Sequence, residues 1–223
     1  QWDMIGDTPM IREVEANLRA TGVKVLDIEI LRVKPDTRAI NWKPFFETGA
    51  RLGASQVLVA GNDPDYNRFC DNFAELCEIA HPYGLTLNVE PMPWCDIATV
   101  KQAGDAMKRV NRPNAGVLVD PIHFFRADNR FEDIDSLPAG SLHYCQMCDI
   151  TAERPKDMDG ILYQARNFRL SPGTGAADLK TLLKHLPGLP ISIEACNAEL
   201  ALTLSPLDRA RMYLEDMVAV LNA

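Results

Sequence analysis

Short apolar runs rich in β-branched residues recur at positions 23–31, 56–60, 85–90, 115–120, 142–146 and 190–194. They lack strict polar–apolar alternation, which is the pattern of strands buried on both faces. Between them, apolar residues return every three or four positions, as a helix requires. Phe69, Phe73, Leu76, Cys77 and Ala80 form one such stripe, ending before His81, Pro82, Tyr83 and Gly84. Segments 10–20, 42–52, 97–110 and 207–221 predict helices on the same ground. Gly22, Gly53 and Gly84 each fall between a helix and the next strand, where a left-handed closing residue is favoured. No linker, low-complexity tract or charge block interrupts the series, so residues 1–223 read as a single domain.

Strands that alternate with helices imply a parallel sheet, either doubly wound or closed into a barrel. A doubly wound sheet usually carries a glycine-rich turn after its first strand, and no G-x-G-x-x-G occurs here. The glycine pair in Pro172, Gly173, Thr174 and Gly175 follows no evident strand. Polar residues instead gather at the C-terminal ends of four strands, where α/β barrels place their active sites. The expected fold is therefore α/β, a (β/α)8 TIM barrel. Only six strands are recognisable, and an arc of six would leave two bare edges. The chain opens on Gln1 and reads like the approach to a helix. The expectation is that an N-terminal strand–helix–strand portion of about 50 residues is missing. A split or opened barrel is the alternative.

Side chains along a strand alternate between faces, which sets the phase of the polar ends. Thr86, Asn88 and Glu90 share one face; so do Gly116, Leu118 and Asp120. Leu142, Tyr144 and Gln146 align in the fifth run, and Pro190, Ser192 and Glu194 in the sixth. Each of these four strands thus ends in an oxygen-bearing side chain in phase with its inward face. Pro91 and Pro121 directly follow Glu90 and Asp120 and stop their strands there. Any one such acid is readily explained as a helix cap. Three carboxylates and an amide at one barrel mouth would repel one another without a cation between them. Oxygen ligands favour a hard divalent ion, Mg²⁺ or Mn²⁺.

The chain resembles the sugar-phosphate isomerase/epimerase family, which shares the xylose-isomerase-like barrel. The resemblance runs from the segment Thr21 to Glu29 through to the final helix. Its carriers are Asn88-Val89-Glu90-Pro91, Val119-Asp120-Pro121-Ile122-His123, the segment Tyr144 to Asp149, the segment Arg169 to Gly175, and Ser192-Ile193-Glu194. It implies one divalent metal held by Glu90, Asp120, Gln146 and Glu194, with His123 near the substrate. Isomerases and epimerases of this type usually present His as the third ligand, where this chain has Gln146. Gln there resembles the dehydratase branches that act on 3-dehydroshikimate or inososes. The same barrel family includes endonucleases of abasic DNA, but those resemble a His-rich multi-metal arrangement and this chain has only 4 histidines.

Several further residues carry candidate chemistry. His123, three residues after Asp120, is a candidate acid/base, with a second-layer or surface histidine as the plainer account. Arg126, Arg154 and Arg169 follow the metal-bearing strands and are candidates for binding a carboxylate or phosphate; pairing with a nearby acid is the alternative for each. Trp94, four residues after Glu90, is placed as a pocket wall or as core. Cys145 and Cys148 have C-x-x-C spacing but no second pair, so packing is expected of them. His81, His143 and His185 show no spaced partners and are given no role.

Composition narrows the partners. Apolar residues make up 47% of the chain and charged residues 24%, and no apolar run reaches the ~18 residues of a membrane span. Lys and Arg total 23 against 31 Asp and Glu, a formal charge of −8 that argues against nucleic-acid binding. Six scattered cysteines and an opening without a secretory pattern predict a reduced, soluble, cytoplasmic protein. A homo-oligomer is compatible with all of this. The expected activity is isomerisation or epimerisation of a small polyhydroxylated sugar or sugar phosphate. It proceeds through proton abstraction beside a carbonyl, with Glu90 and Glu194 as the exchanging pair. Loss of a β-hydroxyl would make the same site a dehydratase, and a binding-only protein is the third reading.

Overall fold

The structure, a computed structural model, describes residues 3–223; Gln1 and Trp2, on which the reading of the chain's opening partly rests, lie outside it. Six strands form one sheet in sequence order, and every neighbouring pair is parallel. They are β1 (Asp27–Val33), β2 (Gln56–Gly61), β3 (Thr86–Val89), β4 (Ala115–Val119), β5 (Leu142–Met147) and β6 (Ile191–Ile193). The helices are α1 (Pro9–Thr21), α2 (Lys43–Leu52), α3 (Tyr66–Ala80), α4 (Val100–Val110), α5 (Pro121–Arg126), α6 (Phe131–Asp135), α7 (Met158–Asn167), α8 (Leu179–Lys184), α9 (Ala198–Thr203) and α10 (Pro206–Asn222). The sheet curls into a half-barrel whose outer face the helices cover. Among the described residues no pairing joins β1 to β6, so the arc is open.

The long helices form where the apolar spacing predicts them, because local chemistry also starts and stops them. Thr8 caps α1 through the Ile11 amide, and Gly22 closes it in the left-handed region at φ 71°. Asp65 caps α3 through the amides of Asn67 and Arg68. Thr99 and Gln102 make a reciprocal cap on α4, so Ile97 and Ala98, expected to be helical, stay outside it.

Alternation along the strands sorts side chains into two layers. Val57, Val59, Leu87, Val89 and Val117 point outward into the main core with Phe69, Phe73 and Leu76 of α3. Leu58, Leu118 and Tyr144 meet on the inner side with Leu26 and Ile30. Asn88 donates to Gln56 Oε1, its diagonal neighbour on β2, at 2.8 Å. Gly116 leaves it the room, since a Cβ there would overlap Asn88 Oδ1.

The first strand corrects the expected boundary of 23–31. Pairing starts only at Asp27 with Gln56, and Leu26 O already takes the Ser55 and Gln56 amides. Val23 is 62% exposed, because the chain before Asp27 runs past the end of its partner strand. His185, given no partner above, meets Asp135 at 2.7 Å.

Candidate active site

At the C-terminal ends of the strands, the turn-forming residues are also the site residues. Glu90 follows β3 directly, and Asp120 follows β4 and caps α5 through the Ile122 amide at 2.9 Å. That cap begins the helical turn carrying His123 back over the strand ends. Gln146 sits within β5, and Glu194 follows β6. Ligating atoms of Glu90, Asp120 and His123 all lie within 4.8 Å of one another, and all three residues are buried. His123 Nε2 is 3.5 Å from Glu90 Oε1 and 3.9 Å from Asp120 Oδ2, short of a hydrogen bond in both cases. Trp94 stands edge-on to the His123 ring at 5.0 Å between centroids.

Arg169 ties the rest of the site together. It comes from the segment after α7, and its Nη1 donates to Asp120 Oδ2 at 2.5 Å. Its Nη2 meets Glu194 Oε1 at 3.2 Å, while Nε donates to Ala165 O at 2.7 Å. The turn that presents it is built on Asp149. That carboxylate accepts the backbone amides of Gly173, Gly175 and Ala177 at 2.9–3.0 Å, fixing the Pro172–Gly175 turn. A Cβ at Gly175 would collide with Ile150 O, so the close approach requires glycine there.

Burial and neighbours set the charges. Burial, reinforced by Asp120 and Glu194, pushes the Glu90 carboxyl well above the usual range. Burial works the same way on Glu194 and outweighs Arg169, lifting it to about 8. Burial opposes the charge on Asp120 as well, but Arg169, His123 and the Ile122 amide prevail and hold it below its ordinary value. His123 is pushed down to about 4 by burial, so its imidazole is neutral at pH 7.

The residues fit a divalent cation. Glu90 Oε1 and Gln146 Oε1 are buried acceptors with no hydrogen-bond partner. Gln146 spends its Nε2 on Glu29 Oε1 at 3.1 Å, which leaves that amide oxygen free. Orphaned buried oxygens are costly unless something positive completes them. Among the described residues Arg169 is the only Lys or Arg that pairs with these acids.

Above this cluster lies a cavity of about 240 Å³, lined among others by Glu29, Glu90, Trp94, His123, Arg169 and Glu194. Asp120 and Gln146 are buried beneath it, at 2% and 1% exposure. Arg126 and Arg154, expected at the substrate, are placed elsewhere. Arg126 is buried and donates to Gln164 Oε1 and Thr151 O, while Arg154 pairs with Asp128 and caps Arg126 O. Both hold the loops after β4 and β5 together; Arg154 does so by pairing with an acid, whereas Arg126 meets only neutral acceptors among the described residues. Cys148 reaches the site as a packed thiol, 3.5 Å from Asp120 Oδ1. Glu29, on β1, joins the site without having been singled out. Its phase with Asp27 on an acid-bearing first strand was the available signal.

The profile described as xylose isomerase-like TIM barrel matches residues 3–217. The chain belongs to the xylose isomerase-like TIM barrel family. Among its relatives, a 3-dehydroshikimate dehydratase of Pseudomonas aeruginosa is 29% identical over 164 residues, covering 68% of this chain and 25% of that protein. An inosose isomerase of Bacillus licheniformis is 33% identical over 120 residues, covering 53% of this chain and 41% of that protein. The chain thus spans well under half the length of these curated relatives. Among solved structures, the IolI protein with a bound zinc atom superposes with a TM-score of 0.79 at 22% identity, over 96% of this chain and 82% of its own. A 3-keto-D-glucoside 4-epimerase from E. coli gives 0.69 at 15% identity, over 96% and 84%. At these identities the superpositions establish the xylose isomerase-like barrel architecture for the six-stranded arc. No helix is long and apolar enough to cross a membrane among the described residues.

Proposed function

We propose that this protein is a divalent-metal-dependent isomerase or epimerase of a small polyhydroxylated substrate. The observation that carries the reading is a pair of glutamates, buried Glu90 and half-buried Glu194, that line one cavity from the ends of different strands with carboxyls raised above the ordinary range. A raised carboxyl is a stronger base than an ordinary one, and a pair of them can take and return the proton of a carbon acid. Glu90, Asp120, Gln146 and Glu194 would hold the ion, Mg²⁺ or Mn²⁺ by ligand type. When bound, it supplies Lewis-acid polarisation of a carbonyl and its neighbouring hydroxyl. One glutamate removes the proton beside the carbonyl, and the other returns it to the adjoining carbon or opposite face. Neutral His123 donates or accepts a hydrogen bond beside Glu90, and Trp94 excludes water from that side. Arg169 keeps Asp120 ionised and orients Glu194. The inosose isomerase relatives support this reading.

A second reading is favoured by Gln146, the dehydratase-type third ligand, and by the dehydratase relative matching 68% of the chain. In that case one glutamate takes the proton, and His123 serves the departing hydroxyl. Incubation in D₂O with Mg²⁺ or Mn²⁺ and a panel of ketoses, inososes and 3-dehydroshikimate tests both readings. Deuterium at the carbon beside the carbonyl is expected, with a rearranged or dehydrated product deciding between them. Glu90→Gln and Glu194→Gln should retain metal and lose turnover by ~10²-fold or more. Near-normal rates in both metal-loaded variants would refute both mechanisms.

A further inference from the structure

The cavity over the acids does not end at Trp94. Arg32, Trp94 and Arg166 line it and also line a second, more open cavity of about 580 Å³. Lys34, Asp36 and Asn62 complete that second wall with Pro35. Three cations against one acid face it, on a chain whose formal charge is −8.

Other cations, such as Arg19, Arg38 and Arg209, also lack an acid partner among the described residues, but these three converge on one opening without one. Arg12, Arg51, Arg68, Arg109, Arg112 and Arg154 all meet a carboxylate within 3.1 Å. Among the described residues, neither Arg32, Lys34 nor Arg166 meets one within 4.0 Å; the one side-chain hydrogen bond of Arg32 goes to Asn62 Oδ1, at 3.5 Å. Arg32 is half-buried on β1 and Arg166 projects from the last turn of α7, so two distant segments of the chain bring them to one opening. Guanidinium forks matched to no internal acid, at the mouth of a reacting cavity, suit a planar or tetrahedral oxyanion.

We propose that the substrate carries a carboxylate or phosphate, which extends past Trp94 and is held by Arg32 and Arg166. The proposal rests on the reading above only for which cavity is the reacting one. It replaces Arg126 and Arg154 as the anion-binding residues.

Calorimetric titration with Mn²⁺ present tests it without needing turnover. The probes are two matched pairs: 3-dehydroshikimate with its methyl ester, and fructose 6-phosphate with fructose. At least one charged member should bind about tenfold or more tighter than its neutral counterpart, and the responding pair tells carboxylate from phosphate. Arg32→Gln combined with Arg166→Gln should bring that ratio close to one. Arg166→Gln alone, at an exposed helical position where the fold tolerates change, should already reduce it. Neutral members binding as tightly as charged ones, no binding by any of the four, or a ratio that survives the double change would overturn the proposal. Deuterium exchange on the same samples keeps the two readings apart. Anion preference without exchange sinks the carbon-acid chemistry and leaves the anion site; exchange without preference does the reverse.

Discussion

Replacing Arg169 with Met removes the one guanidinium that bridges Asp120 and Glu194 while keeping most of the side-chain volume. Arg169 is 3% exposed and Asp120 2%, so nothing from solvent takes its place. Asp120 Oδ2 loses its 2.5 Å donor and keeps only a distant His123 at 3.9 Å. Stranding one member of a buried ion pair costs about 3–5 kcal/mol. For 223 residues, at ~2.1 cal/mol/K per residue, the unfolding entropy is about 0.47 kcal/mol/K, so the midpoint should fall by about 6–11 °C. The assay is thermal unfolding of Arg169→Met and wild type in EDTA, across pH. The depressed Asp120 carboxyl contributes stability above its unfolded value of 3.8, and that stability disappears as pH falls through its lower folded value. The gap between the proteins should therefore be full at pH 7 and shrink in the acid range. Adding Mn²⁺ at about 100 times its dissociation constant should return about 2.7 kcal/mol, provided the ion still binds. A midpoint change under about 2 °C at pH 7, equivalent to roughly 1 kcal/mol, would show that Arg169 is not the counter-charge of this site.

Glu194 at about 8 makes metal binding proton-linked, so affinity for Mn²⁺ should rise with pH up to about 8 with proton release, as competition titrations in buffers of different ionisation heat will read. The metal-free protein should show the opposite trend in stability: the folded state holds that proton between 4.5 and about 8 while the unfolded chain releases it, so the unfolding free energy falls as pH rises through this window. Gln146→His should keep the fold and shift preference toward Zn²⁺ or Co²⁺ over Mg²⁺, since imidazole is a softer ligand than an amide oxygen; unchanged competition would remove Gln146 from the ligand set. Asp149→Asn leaves amide hydrogens facing the Gly173, Gly175 and Ala177 donors unless the new side chain turns its one oxygen to them, so it should cost about 1–3 kcal/mol and lower turnover through Arg169; a stability loss with kcat unchanged would separate the turn from the site.

The alternation of strands and helices, and the phase of Glu90, Asp120, Gln146 and Glu194 along their strands, were legible in the sequence because both follow from local periodicity. A period of two dictates which face a strand residue takes, and a proline after Glu90 or Asp120 marks where pairing stops. Nothing local decides where a strand finds its partner. The run from Val23 is apolar enough for a strand, yet β1 begins at Asp27 because β2 begins at Gln56. Glu29 Oε1 accepts from Gln146 Nε2 at 3.1 Å across 117 positions, a contact no local pattern displays. Helices α5, α6, α8 and α9 are only five or six residues long, too short for a periodic signal, and α7 buries only Ile161, Gln164 and Ala165. They form because tertiary contacts and caps such as Asp120 and Asp157 start them. The arginines show the division most plainly. Arg126, Arg154 and Arg169 all follow the metal-bearing strands, and in the sequence only the Pro-Gly-Thr-Gly turn just after Arg169 favours it over the other two. Arg169 meets Asp120 across 49 positions only because Asp149 gathers the amides of the Pro172–Gly175 turn, whereas Arg126 and Arg154 are taken up by Gln164, Thr151 and Asp128. Charge and donor number belong to the side chain, but which acid a guanidinium reaches depends on where the backbone sets both ends of the pair.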